Sequence, residues 1–393
     1  MVHRGAGHSR SRRPREGSAR AFVSESHPEH QLPVARHAPM VAPPATRARA
    51  RWSVDRAVSL PEVWALVAAF SGLVGAWRLT GVCRAARAGA KEWLGTLPGL
   101  LLCGGQTATL DISKEAWRLN LATLRWAPMP ELVISRDRHA CCAVRGALVV
   151  LGGYSVLGFT TSVEMLQDGG AFVQLPPLSC GDICGAAAIA VEESDSAAGQ
   201  VLLVGGRFPV GEGVVSTVQL VDLATGVCTP QPDLLHRRHL PAAARMLDGC
   251  IVCAGGIGVS DVESTAEMWG PPVQGAVDAA WTWRALPAMN EKRFGCCACV
   301  MSDGRFAVLG GWTNGALFEA LIIGEDEQWQ TLPPMHDTRS YFACEAVAGC
   351  VIVAGGRGRR TVEVYEEVLD RWLRLPCDLP HTSGLGATGS ALL

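Results

Sequence analysis

Arginine recurs at one repeated position along this chain of 393 residues. Six proline-marked segments end at Leu132, Leu178, Leu234, Met289, Met335 and Asp378. Four residues past each ending stand Arg136, Asp182, Arg238, Arg293, Arg339 and Thr382. A second position, directly after a glycine pair, holds Gln106, Tyr154, Arg207, Ile257, Trp312 and Arg357. A guanidinium presents a planar fork of donors that matches a carboxylate or a phosphate. Trp312 and Tyr154 offer apolar anchors beside such forks. Arg138, Arg237, Arg359 and Arg360 add positive charge next to the same positions. The chemistry suited to these types is capture of an anionic segment.

Catalytic and metal chemistry find less support. Tyrosine occurs only at 154, 341 and 365, and His139 and His239 precede small-residue runs as structural residues would. Many of the fifteen cysteines lie in apolar runs, among them Cys103, Cys141, Cys142, Cys250, Cys253, Cys297, Cys299 and Cys344. Buried free cysteine behaves as a small hydrophobe, so these read as reduced core thiols of an intracellular protein. Cys250 and Cys253 have CxxC spacing, but three residues apart in a strand puts the thiols on opposite faces and argues against zinc. The glycine pairs are not phosphate loops, because no helix follows to supply a dipole. No catalytic residue, metal ligand or cofactor is expected.

The elements that must position these residues are short strands. Glycine pairs stand at 104/105, 152/153, 205/206, 255/256, 310/311 and 355/356, at intervals of 48, 53, 50, 55 and 45 residues. Each closes an apolar run, from LLLCGG to VIVAGG. A bulky residue and a proline follow: Trp126, Phe172, Trp283, Trp329 and Trp372, with the third repeat degenerate at Val227. Between Phe294 and Met335 four such runs are bounded by Gly, Asp and Pro, the pattern of buried strands. A period near 50 with four strands and a double glycine resembles the kelch repeat, which implies an all-β, six-bladed β-propeller over residues 97–393. The chain enters that array at the second strand of its first blade. The missing strand is therefore expected from the other end, at Leu385–Leu392, closing the ring and leaving no open edge. In such a ring the two recurrent positions share one face. The resemblance then implies that Arg136, Arg207, Arg238, Arg293, Arg339 and Arg357, with Trp312 and Tyr154, capture an acidic or phosphorylated peptide. The competing reading is that an Arg at this position only bonds loop carbonyls or an acid in a neighbouring blade. Some kelch-like propellers are copper radical oxidases, but the tyrosines and the histidine pair they need are not evident here.

Residues 59–95 are helical in pattern. Ser59, Pro61 and Glu62 suit an N-cap with a capping box, and Val63, Leu66, Val67 and Phe70 recur at amphipathic spacing. Ser71-Gly72 interrupts the helix. A second short helix follows from Trp77 to Cys83, and a basic one through Arg84 and Arg87 ends at Trp93 and Leu94. Leu60-Pro61-Glu62, the apolar stripe, Val82-Cys83-Arg84 and Trp93 are similar to the F-box, although Ala85-Ala86 stand where the family often has a Trp. This resemblance implies docking on a Skp-type adaptor of a cullin ubiquitin ligase through Leu60, Pro61, Val63, Val67, Val82 and Cys83, a helix-on-helix contact. The competing reading is a helical cap on the propeller.

Residues 1–58 carry eleven arginines, no lysine and four acids, a formal +7 that leaves −9 for the rest. This is the composition of a disordered basic tail or of an organelle transit peptide; a misassigned upstream region is the third reading. No fold signature for nucleic-acid binding accompanies it. No run approaches 18 clean apolar residues, so no membrane span is expected. The sequence thus leads to a non-catalytic, monomeric substrate-recognition adaptor in the cytoplasm or nucleus, or in a plastid or other organelle if the tail is a transit peptide. The alternative is a kelch interaction scaffold, cytoskeletal or regulatory.

Overall fold

Short strands with both faces apolar must be covered on both sides, and that requirement organises the architecture. The computed structural model describes residues 54–393 except 167–169, 192–195, 210–212, 272–279, 325 and 382. The expected basic tail up to residue 53, and Thr382, lie outside the described residues. Residues 54–57 are helical, so helix is present before the expected boundary at 58.

Six four-stranded antiparallel sheets form the blades of a β-propeller. Blade two runs Ala140–Val144, Ala147–Leu151, Val163–Leu166 and Phe172–Leu175, from the axis outward. Blade three runs Ala187–Val191, Gln200–Val204, Val218–Asp222 and Cys228–Gln231. Blade four runs Ala242–Arg245, Ile251–Ala254, Ala266–Gly270 and Thr282–Leu286. Blade five runs Cys297–Val300, Phe306–Leu309, Phe318–Ile322 and Gln328–Leu332. Blade six runs Ala343–Val347, Cys350–Ala354, Val362–Glu366 and Arg371–Leu375. Blade one combines the two ends of the propeller. Gly389–Leu392 pairs antiparallel with Leu100–Cys103, from Leu100 opposite Leu392 to Cys103 opposite Gly389, and Ala116–Asn120 and Arg125–Met129 complete it. Gly99 and Leu393 extend this pairing with two main-chain bonds of 2.7 and 3.0 Å. A small extra sheet joins Arg136–Asp137, Tyr154–Ser155 and Gly158–Phe159.

The core is distributed over the seams. One apolar cluster spans each pair of neighbouring blades, as in the cluster of Val149, Leu151, Val163, Val201, Leu203 and Val221 between blades two and three. Four seams carry an additional clasp. The indole N–H groups of Trp126, Trp283, Trp329 and Trp372, on the outermost strands, donate to the carbonyls of Cys377, Pro232, Pro287 and Pro333 at the end of the preceding blade, at 2.7–2.9 Å.

The glycine pairs serve close approach. At Gly310 (φ +61°) a Cβ would lie 2.6 Å from the Arg339 carbonyl oxygen of the next blade, and the N–H of Gly311 donates to that same oxygen at 2.9 Å. Nearer the axis, Arg138, Gly185, Leu240, Gly295, Tyr341 and Ala387 all take φ between +50° and +64°. Main-chain bonds link them across blades: Gly185 to Arg138, Leu240 to Gly185, Tyr341 to Gly295, Ala387 to Tyr341 and Arg138 to Ala387, at 2.7–3.1 Å. Four of the six are not glycine, so these five bonds hold residues in a conformation they disfavour alone.

After the short helical turn at 54–57, two longer helices lead into the propeller, α1 (Pro61–Leu79) and α2 (Arg84–Thr96). The helical pattern differs from expectation in three ways. Leu60, not Ser59, is the N-cap, and the Ser59 hydroxyl instead donates to the Arg56 carbonyl at 2.7 Å. Gly72 kinks the chain (φ +69°, ψ −176°), but helix resumes to Leu79. Cys83 caps α2, its sulfur accepting from the Ala86 N–H. The second half of α1 and the inner side of α2 join the blade six–blade one core through Leu73, Val74, Ala76, Ala90 and Leu94. The Trp77 indole donates to the Leu121 carbonyl at 2.7 Å. By length and composition α1 is apolar enough to cross a membrane, contrary to the sequence expectation; its kink and the packing of its second half on the blades set its place in this fold.

Removal of residues 384–393 takes away the first strand of blade one and exposes two seams. We expect its Tm to fall by roughly 10 °C or more, read by calorimetry; an unchanged Tm refutes the closure.

Candidate functional site

Four of the expected capture residues are structural. Arg136, Arg238, Arg293 and Arg339 are at most 1% exposed. Each guanidinium faces a glutamate at the second residue of its blade's third strand: Arg136 with Glu164 at 2.5 Å, Arg238 with Glu267 at 2.8 Å, Arg339 with Glu363 at 2.7 Å, and Arg293 with Glu319. Each also donates to the carbonyl of the first glycine of its blade's pair, as Arg339 does to Gly355 at 2.7 Å, and to a second carbonyl six to ten residues on. A fork so enclosed presents no surface to a ligand, so these four do not contact a peptide. The signal was in the sequence: Glu164, Glu267, Glu319 and Glu363 follow the four arginines by 24 to 29 residues. Blades one and three, which lack the arginine, carry Trp117 and Gln219 at that strand position.

The other four, Arg207, Arg357, Trp312 and Tyr154, are exposed. Trp312 and Arg357 come together, with the guanidinium 4.9 Å from the ring centroid, a cation–π contact. Phe294 stacks on Trp312 and meets Tyr341 edge-on. Beside them opens a groove of about 370 Å³ lined by Trp312, Thr313, Thr338, Ser340, Arg357 and Arg359. Arg359 reaches Thr338 at 3.3 Å. Tyr154 instead packs edge-on against Phe159 in a hairpin whose tip, Val156-Leu157, is exposed. Arg138 links the cationic positions: its charge acts on Tyr341 together with that of Arg357, and on His239 together with that of Arg207. Burial, then these two arginines, hold His239 down to about 4, so it is neutral at pH 7. Asp137, fully buried, has no hydrogen bond to either carboxylate oxygen, and Arg138 stands 3.8 Å away.

The axis is a channel of about 520 Å³ walled by the six innermost strands, including Cys141, Cys142, Cys297, Cys299 and Cys344. Glu345 is its one carboxylate among the described residues. Burial pushes Glu345 up to about 7, although the Ser390 hydroxyl donates to it at 3.0 Å. No group of three His, Cys, Asp or Glu among the described residues has the arrangement to hold a metal ion.

The helical segment presents a second surface. The stripe Val63, Leu66, Val67, Phe70 faces away from the propeller, with Phe70 89% and Leu66 63% exposed, while Ala68 is the residue turned inward. Leu60, Val82 and Cys83 are exposed as well, and Pro61 and Val63 are half-buried. At Gly89 a Cβ would lie 2.0 Å from the Pro61 carbonyl oxygen, so α2 crosses α1 in close contact there.

A propeller with a solvent-facing aromatic and arginine groove, joined to helices that leave an apolar stripe uncovered, defines an interaction protein. The comparisons agree. Kelch-like protein 34 of Homo sapiens is 26% identical over 292 residues, 70% of this chain and 44% of that protein. An F-box/kelch-repeat protein of Arabidopsis thaliana is 45% identical over 116 residues, 24% of this chain and 30% of that protein. Kelch-like protein 33 of Homo sapiens is 27% identical over 380 residues, 86% of this chain and 69% of that protein. The chain thus spans less than half the length of the first two relatives. No protein-family model matches the chain. It is a kelch-repeat protein with an F-box-like segment, and its relatives support a substrate-adaptor or protein-interaction role.

Two outcomes follow. Arg339→Ala leaves Glu363 buried without its partner and is expected to cost about 3–5 kcal/mol in urea unfolding, whereas the exposed Arg357→Ala stays within about 0.5 kcal/mol. For Glu345 the folded pKa lies above the unfolded one, so its protonation favours the fold at low pH and that contribution is lost as pH rises through about 7. Glu345→Gln should therefore raise Tm at pH 8 by roughly 2 °C and leave it unchanged or lower near pH 4.

Proposed function

We propose that this chain is a substrate-recognition adaptor of a cullin-type ubiquitin ligase. The F-box-like helices dock on a Skp-type adaptor, and the Trp312–Arg357–Arg359 groove takes an acidic or phosphorylated segment of a target protein. The propeller does no chemistry on the target in this reading. The observation that carries it is the exposed row Leu66, Val67 and Phe70, continued by Leu60 and Val82, on helices otherwise packed to the propeller. An apolar stripe of this kind in water is the usual mark of a helix that meets a partner. In the groove, Arg357 and Arg359 supply forks for an anion, and Trp312 supplies a flat apolar wall.

A second reading has its own support. Burial of Leu73, Val74, Ala76, Ala90 and Leu94 between blades six and one suits a helical cap on a non-catalytic kelch scaffold.

Co-expression of the full chain with a Skp-type adaptor separates the two. A stable complex lost in Leu66→Asp/Phe70→Asp is expected, and the variant should keep the wild-type Tm because both side chains are exposed. Failure of the folded wild type to form a complex leaves the scaffold reading. For the groove, Trp312→Ala and Arg357→Ala are each expected to weaken binding of the target's acidic or phosphorylated peptide about tenfold, the result of losing about 1.4 kcal/mol.

A further inference from the structure

One seam of the propeller is built differently from its neighbours. The residue that carries the indole clasp is the second of the outermost strand in blades one, four, five and six. In pairing register its equivalent in blade two is Phe172 and in blade three is Cys228. Cys228 lies opposite Val221 just as Trp126 lies opposite Leu119 and Trp283 opposite Trp269. Where four other seams set an indole against a carbonyl, this seam brings two thiols together: Cys228 of blade three lies beside Cys180, which follows the last strand of blade two, and each acts on the other.

The backbone holds the two together. The Ser179 N–H donates to the Gly226 carbonyl at 3.0 Å, and the Cys228 N–H donates to the Ser179 hydroxyl at 2.8 Å. Gly226 (φ +72°) packs so tightly that a Cβ there would lie 2.3 Å from the Pro177 carbonyl oxygen. Both cysteines border the blade two–blade three core, and both are partly open to solvent.

We propose that Cys180 and Cys228 are an oxidisable dithiol that hydroperoxides convert to a disulfide joining blades two and three, with Cys228 as the attacking thiol. In the first step the Cys228 thiolate attacks one oxygen of hydrogen peroxide. The O–O bond breaks, Cys228 becomes the sulfenic acid, and the leaving hydroxide takes a proton to form water. In the second step the Cys180 sulfur attacks the Cys228 sulfur. The S–O bond breaks, and the departing hydroxide takes the Cys180 proton as a second water. Two thiols lose two electrons and one peroxide gains them. The direction of attack follows from the difference between the two thiols: the interaction with Cys180, with further support from Ser179, holds the Cys228 thiol down to about 6 against the opposing effect of burial, while Cys180 is pushed up. The Cys228 sulfur also lies 3.7 Å from the Gly226 carbonyl oxygen. Two other thiol pairs bridge blades, Cys103 with Cys141 and Cys299 with Cys344. Cys103, Cys299 and Cys344 are buried, so those pairs are shielded from a solution oxidant.

The reduced full chain is treated with hydrogen peroxide, its remaining thiols are alkylated, and peptides are mapped by mass spectrometry. A cross-linked Cys180–Cys228 peptide is expected, with a Tm rise of roughly 5 °C that dithiothreitol reverses. Cys180→Ser should leave a sulfenic acid at Cys228 that dimedone labels, and Cys228→Ser should abolish both the cross-link and the labelling of this pair. The proposal is overturned if no such peptide forms while the exposed Cys83 is oxidised, or if dimedone labels Cys180 in Cys228→Ser.

Discussion

A guanidinium with no water around it anchors each of four blades. Burying that charge is costly, and the cost is offset where the charge finds its opposite and its terminal donors find acceptors. Arg136, Arg238, Arg293 and Arg339 share one arrangement, with a glutamate on the third strand and the carbonyl of the blade's first glycine. The main-chain carbonyl of each arginine also accepts the N–H of the second glycine of the preceding blade. The side chain therefore organises one blade while the backbone of the same residue joins it to the one before. The glycine pair is the counterpart of this joint, because a Cβ on its first member would strike that carbonyl oxygen at 2.6–2.7 Å.

This use of arginine redistributes what is left for recognition. The residues most regular in the repeat serve the fold, and those free to meet a partner are irregular: Trp312, Arg357 and Arg359 on blades five and six, Arg207 on blade three, and the Tyr154–Phe159 hairpin on blade two. Such a division has a physical basis. A position that must satisfy the same hydrogen bonds in every blade cannot vary with a ligand, whereas a loop tip beyond the last ladder bond can. The helical segment shows the same division within one element, since its second half belongs to the core and its first half keeps an apolar stripe in solvent.

The seams also differ in how they are closed. Four use an indole against a carbonyl, one uses Phe172 in an apolar cluster, and one places two thiols at the equivalent point. The seam between blades six and one, where the chain ends meet, is the most heavily built. It has the pairing of Gly389–Leu392 with Leu100–Cys103, the Trp126 clasp and the packing of both helices.

The sequence by itself determined the repeat, the number of blades and the entry at a second strand. Strand runs, glycine pairs and prolines are local signals, and their period of about 50 residues makes six copies reinforce one another. It also marked an interruption at Ser71-Gly72, but not that the helix resumes beyond the kink to Leu79. Only the tertiary structure decided which side chains are inside. An arginine at the start of a strand reads the same whether it faces water or a glutamate 24 to 29 residues away. The stripe Val63, Leu66, Val67, Phe70 has the spacing of a core-facing helix, yet it faces solvent. The neighbouring α2 approaches instead on the side of Pro61, Trp64 and Ala65, where Gly89 admits it. Periodicity reports that one face of an element differs from the other; which face is covered depends on the partners that long-range packing brings to it.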